Sequence, residues 1–148
     1  MSVIDKVLAG QEAEKAALSV REAAATIFVA SVACDGALTL EERLRLNALL
    51  SSMRLYRDVA NEHLQRLVDA ATHAIGEYGP EEVLPACALA IPEDLRAPLF
   101  ALAVELVFVD GRVADREKRF VDALQAAFGI DEETAMRIVG VLLIKSRA

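Results

Sequence analysis

One stretch of this chain is used twice. Residues Ala33-Cys34-Asp35-Gly36-Ala37-Leu38-Thr39-Leu40-Glu41-Glu42 close one apolar helical run and open another. Residues Phe108-Val109-Asp110-Gly111-Arg112-Val113-Ala114-Asp115-Arg116-Glu117 do the same 75 positions later. Both copies keep an Asp-Gly pair, an apolar residue two after the Gly, and a Glu seven after the Asp. A helix needs a stop at such a point, and Gly in the left-handed conformation supplies one at low steric cost. Turn chemistry alone does not dictate both acids. The repeat restricts the fold to a pair of related helical units.

The flanking sequence supplies the helices. Ser2 is placed to cap a first helix to about Ala17, with Ile4, Val7 and Leu8 on one face. Ser19 and Glu22 form a capping box, and the helix behind it is apolar nearly all round to Cys34, as in the middle of a bundle. Thr39 and Glu42 form a second box and start a third helix through Met53. Asp58 is the expected opening of a fourth, which ends near Gly79-Pro80, the clearest internal boundary. A fifth covers about Glu81 to Ala90, and a sixth follows Ile91-Pro92 and runs to Val109. Pro85 and Pro98 fit those two only if each falls in a first turn. A seventh helix spans about Ala114 to Phe128, with Gly129 as its stop. Asp131 caps the eighth, which ends near Lys145.

Shifting the first half by 75 superposes these elements. Arg21/Arg96, Val29/Val104, Val32/Val107, Asp35/Asp110, Gly36/Gly111, Glu42/Glu117, Ala48/Ala123 and Leu49/Leu124 are identical. Apolar class also persists at Leu46/Val121, Met53/Phe128, Leu64/Val139 and Leu67/Leu142. The expectation is one all-α domain over residues 1–148 with about eight helices. It is built from two four-helix pseudo-repeats, about 1–79 and 80–148, each too small to bury its own apolar helix.

Composition narrows the function classes. At 55% hydrophobic and 26% charged residues, a chain of 148 is globular and buries roughly 70% of its unfolded surface. A net charge of −7 repels phosphate backbones, and the absence of Trp leaves few stacking platforms, so nucleic acid is a poor partner. Basic protein surfaces or cations suit the field better. The N-terminus lacks the pattern of a signal peptide, and no apolar run approaches the ~20 residues of a spanning helix. Cys34 and Cys87 lack zinc spacing, and together these features imply a reduced, cytoplasmic setting.

The loops fit part of a calcium-loop template, D-x-[DN]-x-[DN]-G-x5-E. Asp35, Gly36, Leu38 and Glu42 take the fifth, sixth, eighth and twelfth places, and Asp110, Gly111, Val113 and Glu117 match them. The first and third places are Ser31 and Ala33 in one copy and Leu106 and Phe108 in the other. An Asp, one carbonyl and a bidentate Glu supply about four oxygens, where calcium takes six to eight. A self-sufficient EF-hand is excluded, whereas a weak or composite site is not. In the alternative, the acids are turn and cap residues. Glu42 suits that alternative through Thr39, but Ala114 replaces the Thr in the second copy, so Glu117 is expected to lack its reciprocal partner.

Other acids near the loops are accessory candidates: Glu41, Asp115, and Glu105, the lone charge in an apolar helix. His63 and His73, ten apart and about 80° off a common face, are no metal pair. Arg21 and Arg96 stand in first helical turns, disfavoured by the dipole, and are expected to pair with loop carboxylates of the opposite unit. No nucleophile motif or phosphate-binding Gly-rich loop is present.

The pattern resembles the TerB-like tellurite-resistance family, whose signature is A-D-G-x-[ILV]-x-x-x-E after an apolar helix. Cys34-Asp35-Gly36-Ala37-Leu38 through Glu42 and Val109-Asp110-Gly111-Arg112-Val113 through Glu117 match it, except at the residue before each Asp. The N-terminal domain of a membrane-anchored DnaJ-like co-chaperone is similar. The resemblance implies an all-helical fold, an acidic metal-binding surface and a role in stress-response complexes near the membrane; it implies no enzymatic activity.

Two function classes emerge, and a third, an enzyme, is disfavoured because no acid, base or nucleophile set is visible in the sequence. The first is a non-enzymatic cytoplasmic stress-associated module binding calcium, magnesium or manganese weakly through Asp35, Glu42, Asp110 and Glu117. The second is a protein-interaction adaptor whose loops are only structural. Its partners in either case are other proteins, including membrane-associated complexes.

Overall fold

Capping chemistry sets the helix starts. In the computed structural model, which describes residues 2–4, 18–33, 37–108 and 111–148, Ser19 Oγ accepts from the Glu22 N–H at 3.1 Å. The Glu22 carboxylate accepts from the Ser19 N–H at 3.0 Å. This opens α1, Val20–Val32. Then follow α2 (Leu40–Ser52), a 3₁₀ turn (Arg54–Tyr56), α3 (Asn61–Tyr78), α4 (Leu84–Ala90), α5 (Glu93–Val107), α6 (Asp115–Phe128) and α7 (Glu132–Lys145). The described residues contain helices and no strand, as the sequence predicts. Of the expected first helix, Val3 and Ile4 are helical and exposed, while residues 5–17 lie outside the described ones.

Every residue of α1 from Ala23 to Ser31 is buried. Two of them are polar, and both are satisfied within the helix: Thr26 Oγ1 donates to the Glu22 carbonyl and Ser31 Oγ to that of Ile27, each at 2.8 Å. A helix that is apolar on every side requires cover all round. It receives that cover from α2, α3, α4 and α5. Its repeat partner α5 packs on α1, α6 and α7, so the two central helices meet in the middle. Phe28 and Phe100, from these two helices, are fully buried in one cluster with Leu46, Leu84 and Leu124.

Two local readings need correction, those of Asp58 and Pro98. Asp58 does not open α3: it takes a left-handed conformation (φ 69°) in the link after the 3₁₀ turn, and the helix begins behind Ala60. Asp tolerates that region because its short polar side chain bonds locally. Pro98 is not in a first turn but inside α5, which begins at Glu93, whereas Pro85 does sit at the start of α4. The helix absorbs Pro98 near its N-terminal end by losing one backbone bond to the fourth residue before it. The helix from Ala114 to Phe128 begins at Asp115, with Ala114 as its cap. The stops at Gly79 (φ 100°) and Gly129 (φ 64°) are as expected.

Asp35 and Asp110, the loop carboxylates that Arg21 and Arg96 are expected to meet, lie outside the described residues; among the described ones both arginines bond backbone carbonyls. Arg21 Nε donates to the Leu55 carbonyl at 2.8 Å, and Arg96 donates to the carbonyls of Phe128 (3.2 Å), Ala88 (3.3 Å) and Ile91 (3.4 Å). Backbone carbonyls at chain turns are acceptors in want of a donor, and a guanidinium fork serves several at once. The matched arginines thus pin matched places, the chain just after α2 and the end of α6. Tyr56 completes the first clamp by donating its hydroxyl to the Arg21 carbonyl at 2.6 Å. Burial pushes that phenol well above its ordinary pKa.

Candidate functional site

The two loops deliver their glutamates to equivalent places. Glu42 is the third residue of α2; its Oε1 accepts from the Thr39 N–H at 2.9 Å, and its own N–H donates to Thr39 Oγ1 at 3.1 Å. Glu117 is the third residue of α6, and its Oε1 accepts from the Ala114 N–H, also at 2.9 Å. The reciprocal partner expected to be missing is therefore present. That half of a capping box uses the backbone N–H of the cap residue, which Ala has as surely as Thr. Only the hydroxyl half is lost. Both glutamates are half-buried.

Asp35 and Asp110 lie outside the described residues, as does Gly36. Gly111 is described: its φ is 71° and its N–H donates to the Phe108 carbonyl at 3.0 Å, a left-handed helix stop. Leu38 and Val113, the apolar residues two after each Gly, are half-buried.

The accessory acids each have a cation close by. Glu41 pairs with Arg45 one turn on at 3.3 Å, and Asp115 lies 3.9 Å from Lys118. Glu105 pairs with Lys145 of α7. These are surface pairs, worth little individually. Among the described residues, no three His, Cys, Asp or Glu side chains gather into a metal cage. His63 and His73 are about 15 Å apart along α3. The first lies against Arg66 and the second 3.5 Å from Glu77. Cys87 is buried in the middle of α4, and burial pushes its thiol up to about 11.

Two apolar grooves went unseen in the sequence. One, about 560 Å³, opens between α6 and α7 and is lined by Phe108, Val113, Val121, Met136, Val139 and Leu143. It begins where the second Asp-Gly loop ends. The other, about 580 Å³, lies between α1, α3 and α4 and is lined by Leu18, Ala71, Tyr78, Val83 and Cys87 among others. The first left a signal in the repeat itself: Gln65, Arg66 and Asp69 of α3 become Gly140, Val141 and Ile144 in α7. Among the described residues no helix is long and apolar enough to cross a membrane.

The sequence profile of one family, described as tellurite resistance protein TerB, matches residues 21–139. That span runs from the clamp arginine of α1 into α7 and includes both loops. No curated protein matches the chain, and no solved structure does.

Proposed function

The chain belongs to the family of the tellurite resistance protein TerB, and from that premise we propose that it is a non-enzymatic binding module whose two Asp-Gly loops take up a divalent cation weakly. The observation that supports this reading is the paired placement of Glu42 and Glu117. Each is fixed in the first turn of the helix leaving its loop, at the place a calcium loop gives its last ligand. The cap bonds engage Oε1 of each carboxylate, and a carboxylate has a second oxygen to offer. With Asp35 and Asp110, four acids would face the ion as two half-sites or one composite site. Hard oxygen ligands favour calcium, magnesium or manganese over zinc or copper.

The adaptor reading has its own support, the bond from the Ala114 N–H to Glu117. It gives the second glutamate a structural reason of its own, so neither glutamate requires a metal to explain it. On either reading the module is a cytoplasmic member of stress-response protein complexes, with proteins rather than nucleic acid as partners.

A thermal melt separates the two. The protein is melted in chelator, then with each ion at matched ionic strength. An ion at 100 times its Kd adds about 2.7 kcal/mol, which for this size moves the midpoint by roughly 5–11 °C. Screening of the overall −7 charge would survive the double variant Asp110→Asn with Glu117→Gln. A site-specific gain is lost in it. If no divalent ion moves the wild-type midpoint by more than about 2 °C, the acids are caps and turns and the adaptor reading stands.

A further inference from the structure

The outer helix α7 is apolar where its counterpart is polar. Gln65, Arg66 and Asp69 are exposed on α3, as a solvent face should be. Their matches in α7 are Gly140, Val141 and Ile144, and Val141 and Ile144 are 64% and 66% exposed. Met136 (66%) and Leu143 (46%) extend the same face. At 100° per residue these five positions fall in a strip within about 160° of the helix circumference, an arc they share with the ion pair of Glu133 and Arg137 towards its N-terminal end. Met136, Gly140 and Leu143 also line the α6/α7 groove, so strip and groove form one apolar surface. Within α7 the only buried residue is Ala135. A contiguous exposed face of this kind marks a place where another surface sits.

The charges flanking the strip select the occupant. Asp131, Glu132 and Glu133 (the last beside Arg137) stand at the N-terminal end of α7, and Lys145 (beside Glu105) and Arg147 at its C-terminal end. Two copies of α7 laid antiparallel bring the acidic end of each against the basic end of the other. A parallel pair sets like against like. The midpoint of the antiparallel pair falls near Gly140, where an added Cβ would meet nothing within 4 Å, so the strip has no bulk at the crossing. Such a contact is self-complementary and closes under a two-fold axis.

We propose that α7 is a homodimer interface, pairing antiparallel with α7 of a second copy and covering Met136, Val141, Leu143 and Ile144. One helix pair is a small interface, so the dimer is a weak one that forms as concentration rises.

Sedimentation of the wild-type chain from about 1 µM to 1 mM tests this, the mass rising from 16.0 kDa towards twice that value. The variant Val141→Arg with Ile144→Asp installs the residues α3 carries at the same places. It should stay monomeric throughout and melt within about 2 °C of the dilute wild type, because both positions are exposed. Charge reversal tests the orientation. Glu133→Lys or Arg147→Glu alone should weaken dimerisation about tenfold, and the two together should restore it. A wild-type chain that is monomeric at every concentration overturns the proposal. So does a dimer indifferent to Val141→Arg with Ile144→Asp, or a reversed charge pair that fails to recover.

Discussion

The two halves of this molecule start alike and finish differently. Each opens with an Arg that clamps backbone carbonyls, runs through an apolar central helix, and turns into a helix led by a capping glutamate. They part company at the outer helix. In the first half, α3 buries Leu64, Leu67, Val68, Ala71 and Ile75 against α1 and α2 and shows water a polar face. In the second, α7 buries Ala135 alone and leaves a groove beside α6. The central helices have no such latitude, because a helix apolar on all sides is stable only when covered. The outer helix has one free face, and that face is where the halves differ. Function is therefore sought on the loops and on α7, not in the core.

The comparison breaks most sharply if the halves can be separated. Both central helices are covered partly by the opposite half, so a fragment 1–79 exposes the face of α1 that α4 and α5 cover. It is expected to be aggregated or molten, without a cooperative melt. A sharp transition from that fragment alone would show that the first half carries its own core.

A matched pair of truncations sharpens the contrast between outer helices. Leu67→Ala in α3 removes a buried side chain and should cost about 2–3 kcal/mol. Leu142→Ala, its repeat partner in α7, removes a half-buried one and should cost under about 1 kcal/mol at monomeric concentration. Urea titrations of both variants read the difference. Equal costs would mean that α7 is held as firmly as α3.

The repeated loop offers a third comparison. Gly111 sits at φ 71° with open space where a Cβ would go, so Gly111→Ala should cost about 1 kcal/mol through backbone strain alone. A neutral outcome in the same titration would mean that the turn relaxes to an ordinary conformation.

The readable parts of this fold were those fixed by local chemistry. Ser19 with Glu22, Thr39 with Glu42, Gly129 and Asp131 all stand where their residue types require, because a cap bonds within three or four residues of itself. The apolar run of α1 likewise announces a central helix. Partners distant along the chain were not legible. Nothing in the sequence says that Arg21 meets the Leu55 carbonyl or that Glu105 meets Lys145, forty residues away. Pro98 misled because a proline near the start of a well-packed helix costs only one bond. The grooves were illegible for a related reason. They lie between packed helices, one beside α6 and α7 and the other among α1, α3 and α4, and periodicity reports which face of a helix is apolar, not how far its neighbour stands.

The smallest effect is the most direct test of what the loop glutamates do. Ala114 and Thr39 have nearly the same backbone, φ −70° and ψ 159° against −74° and 162°. Ala114 is exposed, so a larger side chain meets no crowding there. In α2 the Thr39 hydroxyl accepts from the Glu42 N–H, a bond that Ala114 cannot offer Glu117. Ala114→Thr should therefore complete the second capping box and stabilise the protein by about 0.5–1 kcal/mol, while Thr39→Ala should destabilise it by a similar amount. Glu117→Gln keeps the acceptor for the Ala114 N–H and removes the charge, so it should lose only the favourable interaction with the helix dipole, about 0.3–1 kcal/mol. The three variants are compared by thermal melting in chelator, where any cation contribution is absent. If Ala114→Thr gains nothing, the matched backbone at the two caps does not make the two glutamates equivalent. Glu117 would then be held by something other than the cap, and its loop rather than its helix would become the place to look.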